Sequence, residues 1–455
     1  MRQQATNLDR RQFLASLGAL AVSGCVCGSE TRGRPAVKPN ILLIYIDDLG
    51  YGDLGCYGLK DGQTPHIDSI AQEGVRFTDG YATASVCGPS RAALLTGRYQ
   101  QRFGFEHNIR DFAEFKDMDM GLSVNEITLA DSLKEAGYVT GVIGKWHLGH
   151  QEKYHPLTRG FDEYFGFLQG SHDHFVWDSP HGGPIYRNRE KAEGTEYLQD
   201  AFSREAVDFV QRHRAKPFFL YFSCIAVHSP MQAKKEDLER YPDVSNERRR
   251  ALLAMLSALD DGVGRILNTL RETGQDKNTL IFCISDNGGQ LSNNGSLNTP
   301  LRSGKTSVYE GGNRIPYIVR WPGYVPRGKV YERPVSTLDV FPTALAAAGG
   351  RMPDDREMDG VDLLPYLNGK SKGTPHETLF WRRGNMCAMR KGKWKLTQPR
   401  RAPFALYDLT SDIGEKNDLT EEYPEKAREL MGEYEQWSGK MAKPLWNWFD
   451  GTNIK

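Results

Sequence analysis

The chain reads as an α/β protein: a mostly parallel sheet sandwiched by helices, followed by a small C-terminal α+β subdomain with a short antiparallel sheet. Three observations predict this. Short apolar runs alternate with amphipathic helical patterns, the signature of βα units. Four of the runs end in polar, chemistry-bearing residues. Beyond the Pro- and Gly-containing loops of 351–373, short strand-like stretches follow one another.

Taken in order, Ile41–Ile46 is the first run and ends in Asp47-Asp48. Cys87–Arg98 predicts a helix: Pro89 suits an early helical position, where its missing N–H would be unpaired anyway, and Gly97 is a stop signal. Tyr138–Ile143 is the second run and leads into Gly144-Lys145-Trp146-His147. Ala201–His213 carries apolar residues at helical spacing (Phe202, Ala206, Phe209, Val210), and Ala251–Leu270 is a longer amphipathic helix. Phe218–Phe222 is the third run, with His228 just beyond it. Leu280–Ile284 is the fourth and ends in Ser285-Asp286-Asn287-Gly288. Ser336–Pro342 starts a further helix that Gly349-Gly350 closes. In the C-terminal part Thr378–Trp381, Trp394–Leu396 and Leu406–Leu409 read as strands, and Pro424–Ser438 as a covering helix. Open α/β sheets bind ligands outside the carboxyl ends of their strands. Four strands here deliver polar residues to that end.

Composition excludes some classes. The 455 residues carry 58 basic and 58 acidic side chains, which gives no argument for a nucleic-acid partner or for general membrane adhesion. Seven cysteines are widely spread, and Cys224 and Cys283 sit inside apolar runs as core residues, so this is no disulfide scaffold. Asp9-Arg10-Arg11-Gln12-Phe13-Leu14 matches a twin-arginine export signal, and Phe13–Val22 is too short to span a bilayer. Val22-Ser23-Gly24-Cys25 resembles a bacterial lipobox. Residues 1–25 are therefore expected to be a signal segment and 26–38 a flexible tether. The protein is expected to be exported, periplasmic or membrane-anchored, with membrane contact only through a lipid at Cys25.

The polar strand ends suggest chemistry. Asp47, Asp48, Asp286 and Asn287 form an all-oxygen set suited to a hard cation such as Ca²⁺ or Mg²⁺. Singly, Asp-Asp is also an ordinary turn or cap, and Asn-Gly is a common turn dipeptide. Arg91, Lys145, His147, His228 and Lys305 add cations and proton carriers on the side that holds Cys87. Preorganised cations and a proton donor stabilise a transition state that gathers negative charge on oxygens.

Cys87-Gly-Pro89-Ser90-Arg91 followed by Leu95-Thr96-Gly97-Arg98 closely resembles the signature of type I sulfatases. The resemblance runs from Lys38 to at least Tyr366, through Gly160–Gly166, Ser257–Asp261 and Asp359–Leu364, and is taken up again at Leu406–Leu409 and Glu415–Leu419. One departure is His66, where the family pattern has Asn. The resemblance implies an alkaline-phosphatase-like fold with a catalytic domain at 39–372 and a C-terminal subdomain at 373–455. It implies that a maturation enzyme oxidises Cys87 to formylglycine in the cytoplasm, before the twin-arginine machinery exports the folded chain. It assigns Asp47, Asp48, Asp286, Asn287 and the position-87 oxygen to one divalent ion, Ca²⁺ by preference. Arg91 would activate the nucleophile with the metal, Lys145 would bind sulfate, His147 would assist sulfate release, and His228 and Lys305 would hold or protonate the leaving alcohol.

The expected substrate is a sulfated polysaccharide or oligosaccharide. His172, Asp173, His174, Trp177 and His181 form a loop that either grips sugar or is structural, and Arg314 and Arg302 are candidates for substrate anions. Two alternatives stay open: a phosphonate or phosphodiester hydrolase with the same signature, and a glycan-binding lipoprotein whose Cys87 is never converted.

Overall fold

In the computed structural model residues 37–109, 119–400 and 402–446 are described. The export signal, the lipobox with Cys25, and Cys27 lie outside them. The central sheet is built from β1 (Asn40–Ile46), β2 (Val75–Phe77), β3 (Val139–Lys145), β4 (Glu163–Phe167), β5 (Tyr186–Arg187), β6 (Glu190–Lys191), β7 (Phe218–Cys224), β8 (Thr279–Ser285), β9 (Tyr317–Arg320) and β10 (Lys329–Tyr331). Their order across the sheet is β10-β2-β9-β8-β1-β7-β3-β4-β5-β6. The middle five, β8 to β4, are mutually parallel. On one side β9 runs antiparallel to β8 and to β2, and on the other β5 and β6 add an antiparallel edge.

The continuous apolar runs follow from burial on both faces. Alternate β1 side chains point to opposite sides. Ile41, Leu43 and Tyr45 enter one core cluster, and Leu42, Ile44 and Ile46 the other. All six are fully buried, each contributing roughly 2 kcal/mol to the sheet's stability. The first face is covered by α2 (Cys87–Thr96), α3 (Leu129–Glu135) and α6 (Val340–Ala348), and the second by α1 (Pro65–Gln72), α4 (Leu198–Arg212) and α5 (Glu247–Glu272). Asn246 caps α5 by accepting the Arg249 N–H at 3.0 Å. Gly97 and Gly349 end α2 and α6 in the left-handed conformation, with φ of 64° and 69°.

The C-terminal sheet is an antiparallel meander of β11 (Thr378–Arg383), β12 (Met386–Lys391), β13 (Trp394–Gln398) and β14 (Ala405–Asp408). The helix α7 (Pro424–Gly439) covers it, setting Ala427, Leu430 and Trp437 on Met389, Leu396 and Leu406. Strands β2, β4, β9 and β12 were not expected from the sequence. They are three to six residues long, and β12 (Met-Cys-Ala-Met-Arg-Lys) lacks β-branched residues; pairing on both sides makes it a strand. All described residues belong to one compact unit. No helix among them is long and apolar enough to cross a membrane.

Candidate active site

Parallel pairing puts the carboxyl ends of β1, β3, β7 and β8 at one edge of the sheet, and the polar residues that follow them meet there. Asp47 and Asp48 leave β1 fully buried, with Asp48 in the left-handed region (φ 58°). Lys145 closes β3, and its ammonium donates to Asp47 Oδ2 at 2.7 Å. His147 follows, also left-handed (φ 59°). Asp286 and Asn287 follow β8. Non-glycine residues in this conformation are strained and cluster at functional sites.

From the facing side α2 brings Cys87 as its first residue, all ten residues of the helix being buried. Cys87 Sγ lies 3.9 Å from Asp48 Oδ1, and Asn108 Oδ1 accepts the neighbouring Gly88 N–H at 2.9 Å. One turn on, the Arg91 guanidinium donates to Asp286 Oδ2 at 2.8 Å and to Ser223 Oγ at 2.5 Å, and lies 3.4 Å from Asp47 Oδ1. Lys305 donates to Asp48 Oδ2 at 2.6 Å. His228 Nε2 is 3.6 Å from the same oxygen, while its Nδ1–H donates to the Ser229 carbonyl at 2.6 Å.

Burial alone would raise the Asp47 carboxyl, but Lys145, His228 and Arg91 outweigh it and hold the group well below the usual range. Burial, with Asp47, pushes Asp286 up to about 7 despite Arg91. Burial also pushes the Cys87 thiol up, over the pull of Lys145 and Lys305, so the unmodified side chain stays a protonated thiol. His228 is lowered, chiefly by burial.

The oxygens suit a hard divalent cation. Asp47 Oδ1 and Asn287 Oδ1 are buried without a hydrogen-bond donor. The Asn287 amide nitrogen is committed to Asp48 Oδ1 at 2.8 Å, which leaves its oxygen as the free end. Asp47, Asp48, Cys87 and His228 each offer a ligand atom within 4.8 Å of the others. Asp286 is engaged on both oxygens, by Arg91 and by the Asp48 N–H at 3.1 Å.

Residues 39–350 match the sulfatase family model, and 303–437 match the model described as N-sulphoglucosamine sulphohydrolase, C-terminal. The chain belongs to the sulfatase family. It is 38% identical over 412 residues to mouse N-acetylgalactosamine-6-sulfatase, covering 85% of this chain and 75% of that one. It is 35% identical over 396 residues to rat arylsulfatase G, covering 77% and 72%. The crystal structure of Ps i-CgsB superposes with a TM-score of 0.86 at 38% identity, over 90% of this chain and 94% of that one. Ps i-CgsB is also known in complex with k-i-k-neocarrahexaose. The sulfatase is thus a sulfuric ester hydrolase of the alkaline-phosphatase-like superfamily.

Several residues considered for substrate contact are engaged by partners within the protein. Arg314 is buried, and its guanidinium is taken by Thr78 O at 2.6 Å, Asp79 at 3.1 Å and Glu310 at 3.2 Å; a structural ion network has consumed it. His172 is buried with both ring nitrogens against carbonyls, those of Asp173 and Gly183. His174 is fully buried, burial pulls it down to about 4, and its Nε2–H donates to the His228 carbonyl at 3.2 Å. Asp173 accepts from Gln232 at 3.3 Å and from the Ser179 hydroxyl. This loop shapes the His228 segment from behind.

The sequence reading missed Ser223, which joins Arg91 to the Lys145 carbonyl (2.6 Å), and Asn294, which donates to the Asp48 and Val227 carbonyls at 3.4 and 3.3 Å. A lone Ser inside an apolar run was a usable signal for the first. Nothing in the sequence marks Asn294.

Proposed function

We propose that this chain is a formylglycine-dependent sulfatase acting on a sulfated saccharide. One observation carries the reading. Cys87 opens a wholly buried helix within reach of Asp48, inside a ring made by Arg91, Lys145, Lys305 and His228. That arrangement suits an oxygen nucleophile attacking a tetrahedral anion. A protonated thiol at this position cannot supply one. Oxidised to formylglycine, residue 87 supplies a geminal-diol oxygen, and the ring then has a use. The saccharide class is supported by the N-acetylgalactosamine-6-sulfatase relatives and by the oligosaccharide bound to Ps i-CgsB.

Asp47, Asp48, Asp286, Asn287 and the position-87 oxygen would hold one divalent ion, Ca²⁺ by preference, which supplies positive charge beside the nucleophile and the sulfate. Arg91, with the metal, favours the deprotonated nucleophile, and Lys145 neutralises sulfate oxygens in a buried site, where preorganised cations are worth most. His228 has its Nδ1–H fixed on Ser229 O, so Nε2 is the nitrogen turned to the departing alcohol, and in the imidazolium form its Nε2–H is the proton passed to that oxygen, which leaves the neutral Nδ1–H ring. Lys305 steadies the same oxygen, and His147 takes the proton that frees the bound sulfate. The twin-arginine motif supports export after a maturation enzyme has acted.

The test is sulfate release from a panel of sulfated glycans by protein co-expressed with a maturation enzyme, beside a Cys87→Ala control. Release from one polymer, absent in the control, supports the proposal. Undiminished release by Cys87→Ala refutes the nucleophile assignment. An aldehyde found at position 87 with no sulfate released anywhere favours phosphonate or phosphodiester substrates instead.

A further inference from the structure

The loop that carries Lys305 is held in an unfavourable backbone conformation. Ser303 and Thr306, on either side of it, have φ of 65° and 73°, in the left-handed region that residues with a Cβ avoid. Such residues persist only where their surroundings over-determine them. The tip is tied to the catalytic core, the Lys305 N–H to Gly289 O at 3.1 Å, the Thr306 N–H to Ser85 O at 2.8 Å and Asn298 to Ser303 O at 3.0 Å, while the base of the loop is held by the C-terminal sheet. Lys395 of β13, fully buried, donates to Glu310 Oε1 at 2.6 Å. Glu415, in the loop after β14, accepts the Glu310 main-chain N–H at 2.6 Å, and its carbonyl accepts from Arg302. Arg383, closing β11, donates to the Thr306 carbonyl at 3.0 Å.

Glu310 is the base of the loop. It opens the single turn Glu310–Asn313, and the Gly311 N–H returns to Arg302 O at 2.9 Å, closing the loop on itself. The Gly312 carbonyl accepts the Gly288 N–H at 3.0 Å, immediately beside Asn287. Burial would raise the Glu310 carboxyl, but Lys395, Arg314 and Arg390 hold it down to about 2, so the contact with Lys395 is a buried ion pair.

We infer that Lys395 and Glu310 are positioning residues for the reaction: the C-terminal sheet, through this pair, fixes where the Lys305 ammonium stands over the departing oxygen. The inference rests on the role given to Lys305 in the proposed function. A pair that merely stabilised the fold would lower activity on every substrate alike. A pair that places Lys305 matters more the poorer the leaving group, because a sugar alkoxide needs the ammonium and a nitrophenolate hardly does.

The experiment measures kcat/KM for the wild type, Lys305→Ala and Lys395→Met on sulfate esters running from nitrophenol to sugar alcohol, with hydrogen exchange over residues 299–314. The expected result is that Lys395→Met loses at least about tenfold more on the sugar ester than on the nitrophenyl ester, in parallel with Lys305→Ala. Exchange in the loop should rise about tenfold while β1 and β8 stay protected. Equal losses across the series, or an unchanged loop, overturn the inference. If Lys395→Met does not fold, Lys395→Met/Glu310→Gln removes both charges of the pair, while Glu415 keeps the residue-310 N–H and Arg314 keeps Asp79, and the same split is expected. A wild type inactive on every ester, or a Lys305→Ala variant with no leaving-group dependence, counts against the proposed function itself, and loop exchange still reports on the pair.

Discussion

Arg91 shows how one buried side chain ties the site together. Its guanidinium spans Asp286 after β8, Ser223 on β7 and Asp47 after β1, and lies 5.2 Å from the Tyr45 ring. Removing one partner of a buried ion pair leaves the other charge uncompensated, typically at ~3–5 kcal/mol. Arg91→Ala is therefore expected to lower unfolding free energy by about that amount in urea melts. Arg91→Lys should keep most of the stability and lose activity, because a lysine cannot reach both Asp286 and Ser223. A Lys variant as active as the wild type would show that only the charge matters. At this scale the sequence was informative for residues sharing a local motif: Cys87 and Arg91 are four apart on one helix, so their proximity is dictated by helical geometry. Arg314 shows the opposite case. Nothing local reveals that Asp79, 235 residues earlier, captures its guanidinium.

Among elements, the decisive contact is the close approach of the Glu310–Asn313 turn to the Asp286-Asn287-Gly288 segment. A Cβ built on Gly288 would stand 1.7 Å from the Gly311 carbonyl oxygen, backbone that cannot yield cheaply. Gly288→Ala is thus expected to push the turn away, carrying Lys305 and the Asn287 amide with it. Displacement near 1 Å at a catalytic group costs on the order of a hundredfold in rate. Steady-state kinetics on the best sulfate ester, with circular dichroism to verify folding, would check this; a fully active, folded variant contradicts the account. Sequence reading found the strands that carry this site because parallel, doubly buried strands read as continuous apolar runs. It missed β12 and β9, whose strand state comes from neighbours rather than from composition.

Across the whole molecule, the C-terminal sheet and the catalytic core share buried polar ties. His376, just before β11, meets Asp339 Oδ1 at 2.7 Å, and Asp339 also accepts the Ser336 and Val361 N–H groups. Burial lowers the imidazole, but Asp339 outweighs it and raises His376 above its ordinary value. A raised folded-state value makes the pair's contribution fully present below the unfolded pKa of about 6.5, and lost as pH rises through the folded one. The wild type's Tm advantage over His376→Gln should then be largest near pH ~6 and shrink toward pH ~9, read by thermal unfolding of both proteins; a constant margin would rule the linkage out. By itself the sequence determined the βα layering, the edge at which the polar residues gather, and the Cys87–Arg91 unit, because these depend on hydrophobic periodicity and short-range spacing. Only the tertiary structure decided that Arg314, His172 and His174 are buried supports, and that Lys395 lies beneath the Lys305 loop. Those assignments depend on which charges find partners across long chain separations, 85 residues for Lys395 and Glu310, and burial makes each such pairing all-or-none: an ion left unpaired in the core is too costly to persist.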